Sequence, residues 1–132
     1  MPSADENAAT IRRGYEFFNT GNMEGLQQLF AEDAVWHVGG RNALSGEKRG
    51  RDAVFGYFGK LAELSGGTFR AELHDLVASA EHVVGLHTAT GERQGRRLSE
   101  HQALVFHLRD GTVVEAWEHS EDSRRVDEFL GS

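Results

Sequence analysis

The sequence predicts an α+β domain in which a curved antiparallel sheet packs on three helices and leaves a central pocket. Helical apolar spacing occupies the first half of the chain, and period-two alternation begins at residue 68. Helices that precede strands, rather than alternating with them, are typical of α+β folds. No linker, repeat or low-complexity tail divides the 132 residues, so we expect a single domain over 1–132.

The first half of the chain predicts three helices and one short strand. Ser3 and Glu6 form a capping box at the start of the first helix. The third helix has the clearest apolar stripe, formed by Val54, Phe55, Phe58, Leu61 and Ala62. The predicted helices span 3–20, 23–31 and 51–64, the strand spans 34–38, and a glycine-containing loop spans 39–50.

The second half predicts four strands in a meander and a closing helix. Asp110-Gly111 is a tight-turn signal before the last strand. Long strands twist, so the sheet is expected to curl and leave a cavity at its open end. The predicted strands span 68–79, 82–91, 96–108 and 112–120, and the helix spans about 122–130.

Charge and composition exclude several classes of partner. The net charge of −7, from 14 basic and 21 acidic residues, disfavours binding to nucleic acid. No apolar run approaches the roughly 20 residues that cross a bilayer, so no membrane partner is expected. The chain has no cysteine and its start lacks the features of a secretory signal, so we expect a cytoplasmic location.

Seven histidines are the most informative polar residues. Imidazole both donates and accepts protons near neutral pH, so several histidines on one wall suit acid/base chemistry. The alternative is that most of them are surface, interface or satisfied core residues. The candidate proton carriers are His74, His87, His101 and His119. No His-x-His pair or His-Glu-x-x-His motif is present, so no metal is expected.

The last strand adds a candidate carboxylate. Period-two alternation places Val113, Glu115, Trp117 and His119 on one face, and the large apolar Trp117 predicts that this face points inward. Glu115 and His119 are about 13 Å apart along a strand. Glu115 would therefore orient a histidine from the strand 96–108, or else lie at the pocket rim.

Aromatic side chains are the candidate pocket walls. Tyr15, Trp36, Phe58 and Trp117 would suit a flat or polycyclic apolar ligand. The alternative is that these aromatic side chains only fill the core.

The chain resembles the nuclear transport factor 2-like superfamily and, within it, SnoaL-like proteins related to polyketide cyclases and ketosteroid isomerases. The residues that carry the resemblance are Asn19–Gly25, Leu29–Trp36, Gly50–Val54 and Phe106–Trp117. The resemblance implies a cone-shaped α+β barrel with a pocket and frequent dimerisation. It does not identify a reaction.

The ketosteroid isomerase triad is not reproduced here. Val38 occupies the position of the catalytic aspartate, Leu104 lies near the position of the protonated aspartic acid, and Tyr15 is one residue out of register with the tyrosine. Val38 and Leu104 are thus expected to be ligand contacts. The Asp–Arg–Asp set of limonene epoxide hydrolases is also absent. SnoaL-type cyclases pair a carboxylate with a histidine.

Two hypotheses follow. The first is a cofactor-independent enzyme that binds a small hydrophobic molecule and performs cyclisation, isomerisation or dehydration with histidine as acid and base. The second is a non-catalytic binding or interaction module of the same fold.

A homodimer is expected, with His101, Ala103, Val105 and His107 at its interface. In that case His101 would not be catalytic.

Overall fold

The computed structural model describes residues 2–131, and helix α1 (Ala4–Thr20) begins at the predicted capping box. Ser3 Oγ accepts from the Glu6 N–H, and Glu6 Oε1 accepts from the Ser3 N–H. The helix buries Ile11 and Tyr15 on one face. It ends at Gly21, whose φ of 77° is left-handed and favours glycine.

The predicted order of elements is confirmed, with one strand added. After α1 come α2 (Met23–Gln27), β1 (Phe30–Val38), β2 (Gly46–Arg49), α3 (Arg51–Leu64), β3 (Arg70–Ala78), β4 (His82–Arg93), β5 (Arg96–Arg109), β6 (Thr112–Ser120) and α4 (Ser123–Leu130). Asp110 and Gly111 both have positive φ, as the predicted tight turn requires.

Three predictions about the first half were wrong. The second helix ends at Gln27, the first strand begins at Phe30, and the loop 39–50 contains β2. The reason is tertiary: the Val113 N–H donates to the Leu29 carbonyl and Phe30 pairs with Val113, so this segment extends along β6.

The curved sheet has six strands rather than four, in the order β2-β1-β6-β5-β4-β3. It is mixed rather than antiparallel, because β1 runs parallel to β6 while all other neighbours are antiparallel. Parallel neighbours need a long crossover, and the segment from β2 to β5 supplies it.

Helices α1 and α3 cover the inner, concave face of the sheet. The stripe on α3 differs from the predicted one: Val54, Tyr57, Phe58 and Leu61 are buried, whereas Ala62 is exposed. These positions follow the i, i+3, i+4, i+7 spacing of a single helix face. The opposite, outer face of the sheet has no covering element within residues 2–131.

A β-bulge in β6 decides which side chains enter the cone. Leu108 of β5 pairs with Val113, but His107 pairs with Glu115, so Val114 is an extra residue. The side chains that point inward are therefore those of Val113 and Ala116, followed two residues later by Glu118. The prediction that Glu115, Trp117 and His119 point inward was wrong, because the bulge reverses the alternation after Val113.

Candidate active site

A cavity lies inside the cone, between the helices and the inner face of the sheet. Its volume is about 70 Å³. Its aromatic walls are Tyr15, Phe18, Phe30, Trp36, Tyr57, Phe58, Phe69 and Phe106. Pockets for drug-sized ligands enclose roughly 300–1,000 Å³. Wall side chains must therefore move before a flat, multi-ring molecule fits.

Glu118 is the acidic group of this cavity. Trp36 Nε1 donates to Glu118 Oε2 at 2.5 Å, and Tyr57 Oη donates to the same oxygen at 2.7 Å. Because Oε2 accepts both bonds, a proton on this carboxyl group lies on Oε1. Within residues 2–131 both hydrogen bonds to this carboxyl group are made by Oε2, which leaves Oε1 available to donate.

Burial raises the pKa of Glu118. The hydrogen bonds from Trp36 and Tyr57 and the positive charge of Lys48 oppose this rise. Lys48 lies over the Tyr57 ring, with Nζ 5.8 Å from its centroid. A half-buried carboxyl group whose pKa is raised is suited to donate a proton near neutral pH.

A chain of hydrogen bonds starts at Tyr15, which lines the same cavity. Tyr15 Oη lies 2.6 Å from His87 Nδ1, and His87 Nε2 lies 2.9 Å from Gln102 Oε1. Gln102 Nε2 donates to Ser120 Oγ at 3.1 Å, which leaves Gln102 Oε1 as the acceptor for His87. A neutral His87 thus has its proton on Nε2, and its Nδ1 accepts from the Tyr15 hydroxyl.

Burial lowers the pKa of His87, although the hydrogen bond to Gln102 opposes this. The imidazole is therefore held in its neutral, proton-accepting form. Burial raises the pKa of Tyr15, and the negative charge of Glu118 raises it further. Tyr15 thus keeps its proton unless it passes that proton to His87. The arrangement is thus chemically suited to pair an acid at Glu118 with a base at Tyr15 and His87.

The four candidate histidines separate into two groups. His87 is buried and lines the cavity. His74, His101 and His119 do not line the cavity; they line an open groove with a volume of about 600 Å³, whose wall also includes His87 and Gln102. Glu115 lies on the outer face, where its carboxylate contacts His37 Nε2 at 2.6 Å. Glu115 lies opposite His107 of β5 in the strand register, but its hydrogen bond is to His37, so the predicted orientation of a β5 histidine by Glu115 is not formed.

Of the residues predicted to form the pocket walls, some line the cavity and others do not. Tyr15, Trp36, Phe58 and Leu104 line the cavity. Val38 is buried in the core but does not line it. Trp117 lies on the outer face, where its ring stacks on His37 with 5.5 Å between centroids.

Sequence reasoning missed Glu118, Tyr57 and Gln102. Tyr57 was accessible from the sequence, since it lies three residues after Val54 and four before Leu61 on the buried stripe. Gln102 lies two residues before Leu104 in β5, so period-two alternation puts both side chains on the same face of the strand. The inward orientation of Gln102 could have been inferred from that of Leu104. No sequence signal places Glu118, because its orientation depends on the bulge.

Within residues 2–131, no group of three or more histidine and acidic side chains is arranged to hold a metal ion. No helix in the same range is long and apolar enough to cross a membrane.

Comparison with known proteins identifies relatives that share this fold. A family model described as a SnoaL-like domain matches residues 11–116. Bal32a, from a soil-derived mobile gene cassette, is 42% identical over 97% of this chain and 98% of its own, with a TM-score of 0.95. A protein of unknown function from Xanthomonas campestris, with a cystatin-like fold, is 28% identical over 96% and 98%, with a TM-score of 0.90.

A third relative adds a functional class. IdmH from Streptomyces antibioticus, a candidate polyketide cyclase, is 27% identical over 96% of this chain and 99% of its own, with a TM-score of 0.76. A search of curated proteins found no match. The fold and these relatives support a role in binding a small ligand. The predicted resemblance is confirmed: the chain belongs to the SnoaL-like domain family.

Proposed function

We propose that the protein is a cofactor-independent enzyme that moves protons on a small hydrophobic carbonyl compound. The observation that carries the proposal is that Glu118 and the Tyr15–His87 pair line one apolar cavity. Cyclisation, isomerisation and dehydration of carbonyl compounds can all proceed through an enol, which one acid and one base can generate. The candidate polyketide cyclase among the relatives fits the same class of chemistry.

The acid step uses Glu118. Its Oε1–H donates to the carbonyl oxygen of the ligand, and the proton transfers as the enol forms. The carboxylate that remains is stabilised by the Trp36 N–H and the Tyr57 O–H, which already contact Oε2. These donors are preorganised, so little rearrangement is needed when the negative charge develops.

The base step uses Tyr15 and His87. The C–H bond next to the carbonyl breaks, its proton goes to Tyr15 Oη, and the original Tyr15 proton goes to His87 Nδ1. The resulting imidazolium keeps its Nε2–H bond to Gln102. One proton enters the ligand at its carbonyl oxygen and one leaves it at the α-carbon, so the step leaves a neutral enol, one carboxylate and one imidazolium.

A second candidate is a non-catalytic ligand-binding module. It is favoured by the fact that both nitrogens of His87 already bond to protein groups, and by the small volume of the cavity. Under this alternative the polar network only stabilises the cone.

Hydrogen–deuterium exchange on simple ketones separates the two candidates. Cyclohexanone and 1-indanone serve as one-ring and two-ring probes, and NMR follows the loss of their α-protons in D₂O. Binding is measured by Trp36 fluorescence in a Trp117→Phe background, which leaves one tryptophan. We expect wild type to accelerate exchange at least about 100-fold, as general acid/base catalysis does.

Glu118→Gln and His87→Gln should each reduce this exchange at least about tenfold, with ketone affinity nearly unchanged. Glu115→Gln is the matched control, since it changes the same residue type in the same strand on the outer face. Binding without exchange by wild type would favour the module. No binding of either ketone would contradict both candidates.

We also propose a homodimer formed through the outer face, with Ala103 and Val105 at its centre. Both side chains are only half-buried in the single chain, which leaves apolar area for a second copy to cover.

The absence of cysteine suits a reducing compartment, so a cytoplasmic location is part of the same proposal. Sedimentation velocity tests the dimer, and cell fractionation tests the location.

A further inference from the structure

Lys48 lies at the edge of the cavity, on the side where Glu118 is held. In the register of β1 and β2 it pairs with Trp36, and directly paired residues share a face of the sheet. Trp36 and Tyr57 both line the cavity, and Lys48 Nζ lies 5.8 Å from the centroid of the Tyr57 ring. The ammonium group is therefore next to the two side chains that donate hydrogen bonds to Glu118.

Within residues 2–131, Lys48 has no ion-pair partner. Its ammonium group donates to the Ser45 carbonyl oxygen at 3.5 Å, which is long for a hydrogen bond. The adjacent carboxylate, Glu47, contacts Arg49 at 2.7 Å instead. The Lys48 side chain is half-buried, so water satisfies its three N–H donors only in part. An acceptor on a ligand would complete them.

The charge balance at Lys48 depends on the protonation state of Glu118. Burial raises the pKa of Glu118, and the positive charge of Lys48 opposes that rise, because the ammonium group attracts the ionised carboxylate. The acid step proposed above instead requires a protonated, neutral Glu118. In that state the ammonium group lacks a counter-ion among the described residues. A ligand anion would supply one, and its negative charge would also favour the protonated form of Glu118.

We propose that the ligand is an oxo acid, whose carboxylate binds Lys48 while its ketone oxygen accepts a hydrogen bond from Glu118. This inference rests on the enzyme proposed above and adds the class of its substrate. One carboxylate matches one ammonium group, whereas a phosphate dianion would leave a negative charge unpaired beside an apolar cavity. The flexible side chain of Lys48 can turn toward the ligand, while the aromatic walls enclose the rest of the carbon skeleton.

The net charge of −7 does not prevent an anion from binding at this place. Dissolved salt screens exposed charges that lie more than about 10 Å apart at 0.1 M ionic strength, so distant surface carboxylates act weakly on the cavity. Apart from burial and hydrogen bonds, the pKa of Glu118 is shifted by the positive charge of Lys48 and by no carboxylate among residues 2–131. The field beside the acid is therefore locally positive.

Binding of matched carboxylates and carboxamides tests the inference. The probes are 3-oxocyclohexanecarboxylate and 4-oxocyclohexanecarboxylate, each with its carboxamide, which has nearly the same shape but no charge. Trp36 fluorescence in the Trp117→Phe parent gives each Kd at pH 7.5. We expect at least one carboxylate to bind at least about tenfold more tightly than its carboxamide, because a hydrogen bond between two charged groups is stronger than one between neutral groups.

Three variants of the same parent assign the preference to Lys48. Lys48→Met removes the charge and should bind carboxylate and carboxamide with equal affinity. Lys48→Arg keeps the charge and should keep the preference. Lys60→Met is the matched control, since it makes the same change at an exposed position of α3, where the ammonium group contacts Glu63 at 3.7 Å, and it should behave as the parent. Far-UV circular dichroism checks that each variant is folded.

The outcomes separate this inference from the proposed enzyme. A carboxylate preference that is lost in Lys48→Met and kept in Lys48→Arg and Lys60→Met supports the inference. Equal affinities in the parent overturn it, and exchange of ketone α-protons would then leave the enzyme standing. A preference that persists in Lys48→Met, or that Lys48→Arg also loses, overturns it as well. No binding of any of the four probes overturns it too.

A preference that depends on Lys48, without α-proton exchange on any ketone, separates the two proposals in the other direction. It supports the binding of an oxo acid and overturns the enzyme in favour of the ligand-binding module.

Discussion

Single side chains set the direction in which protons can move inside the cone. Gln102 bonds to Ser120 through its amide nitrogen, so its oxygen faces His87 Nε2. This bond selects the tautomer in which His87 Nδ1 accepts from Tyr15. Gln102 is therefore a positioning residue, which acts on the ligand only through His87 and Tyr15.

Gln102→Met should remove this selection. The thioether is a weak acceptor, so His87 Nε2–H loses its partner and the imidazole samples both tautomers. Nitrogen-15 NMR at pH 7.5 should show a protonated Nε2 and an unprotonated Nδ1 in wild type, and averaged signals in the variant. Gln28→Met, at an exposed position, should leave the spectrum unchanged. A wild-type proton on Nδ1 would contradict the hydrogen-bond assignment.

At the scale of elements, the close approach of β4 to α1 places Tyr15. A Cβ on Gly85 would overlap the Tyr15 hydroxyl, whereas one on Gly59 of α3 would meet nothing within 4 Å. Glycine is thus required in β4 by contact with a helix, not by backbone conformation. The same contact keeps Tyr15 within hydrogen-bond distance of His87, which is two residues along β4.

Gly85→Ala should lower the free energy of unfolding by about 1–3 kcal/mol, because the added methyl group overpacks the contact with Tyr15. It should also slow ketone exchange, since Tyr15 moves away from His87. Gly59→Ala is the matched control and should raise stability by about 0.5–1 kcal/mol, since alanine is the better helix former. Urea denaturation measures both. Equal effects of the two substitutions would argue against the close approach.

The elements also show where prediction from sequence works. The capping box, the Asp110–Gly111 turn and the four long strands follow from local chemistry, and the structure has all of them. In β4, the alternation does not mark His87 as inward, since Val84 and Leu86 on the opposite face are as apolar as Val83, Gly85 and Ala89. β2 could not be predicted in this way, because Gly46–Arg49 has no apolar alternation and becomes a strand only by pairing with β1.

For the molecule as a whole, the titrations of the buried His87 and the half-buried Glu118 change stability in opposite directions. The pKa of His87 is lowered, so the unfolded chain binds more protons and stability falls as pH falls below the ordinary histidine value of 6.5. The pKa of Glu118 is raised, so the folded chain binds more protons and stability falls as pH rises above 4.5.

Single substitutions should therefore change the pH profile of stability in opposite ways. The gain from His87→Gln relative to wild type should be largest at pH 5, and the gain from Glu118→Gln should be largest at pH 8. Each gain is at most about 1.4 kcal/mol per unit of pKa shift. Urea denaturation from pH 5 to 8 measures both, with the exposed Glu16→Gln as control. Parallel profiles would show that these groups are not perturbed by burial.

Local spacing and composition are enough to predict the fold class, the order of the long elements, the exclusion of cysteine chemistry and the aromatic character of the cavity. Which polar groups meet depends instead on contacts between segments that are distant in the chain. One extra residue at Val114 turns Glu118 inward and Trp117 outward, and the pairing of β4 with β5 brings Gln102 to His87. Strand register and bulges are set by packing between distant segments, so a polar site that depends on them is not encoded in any local pattern.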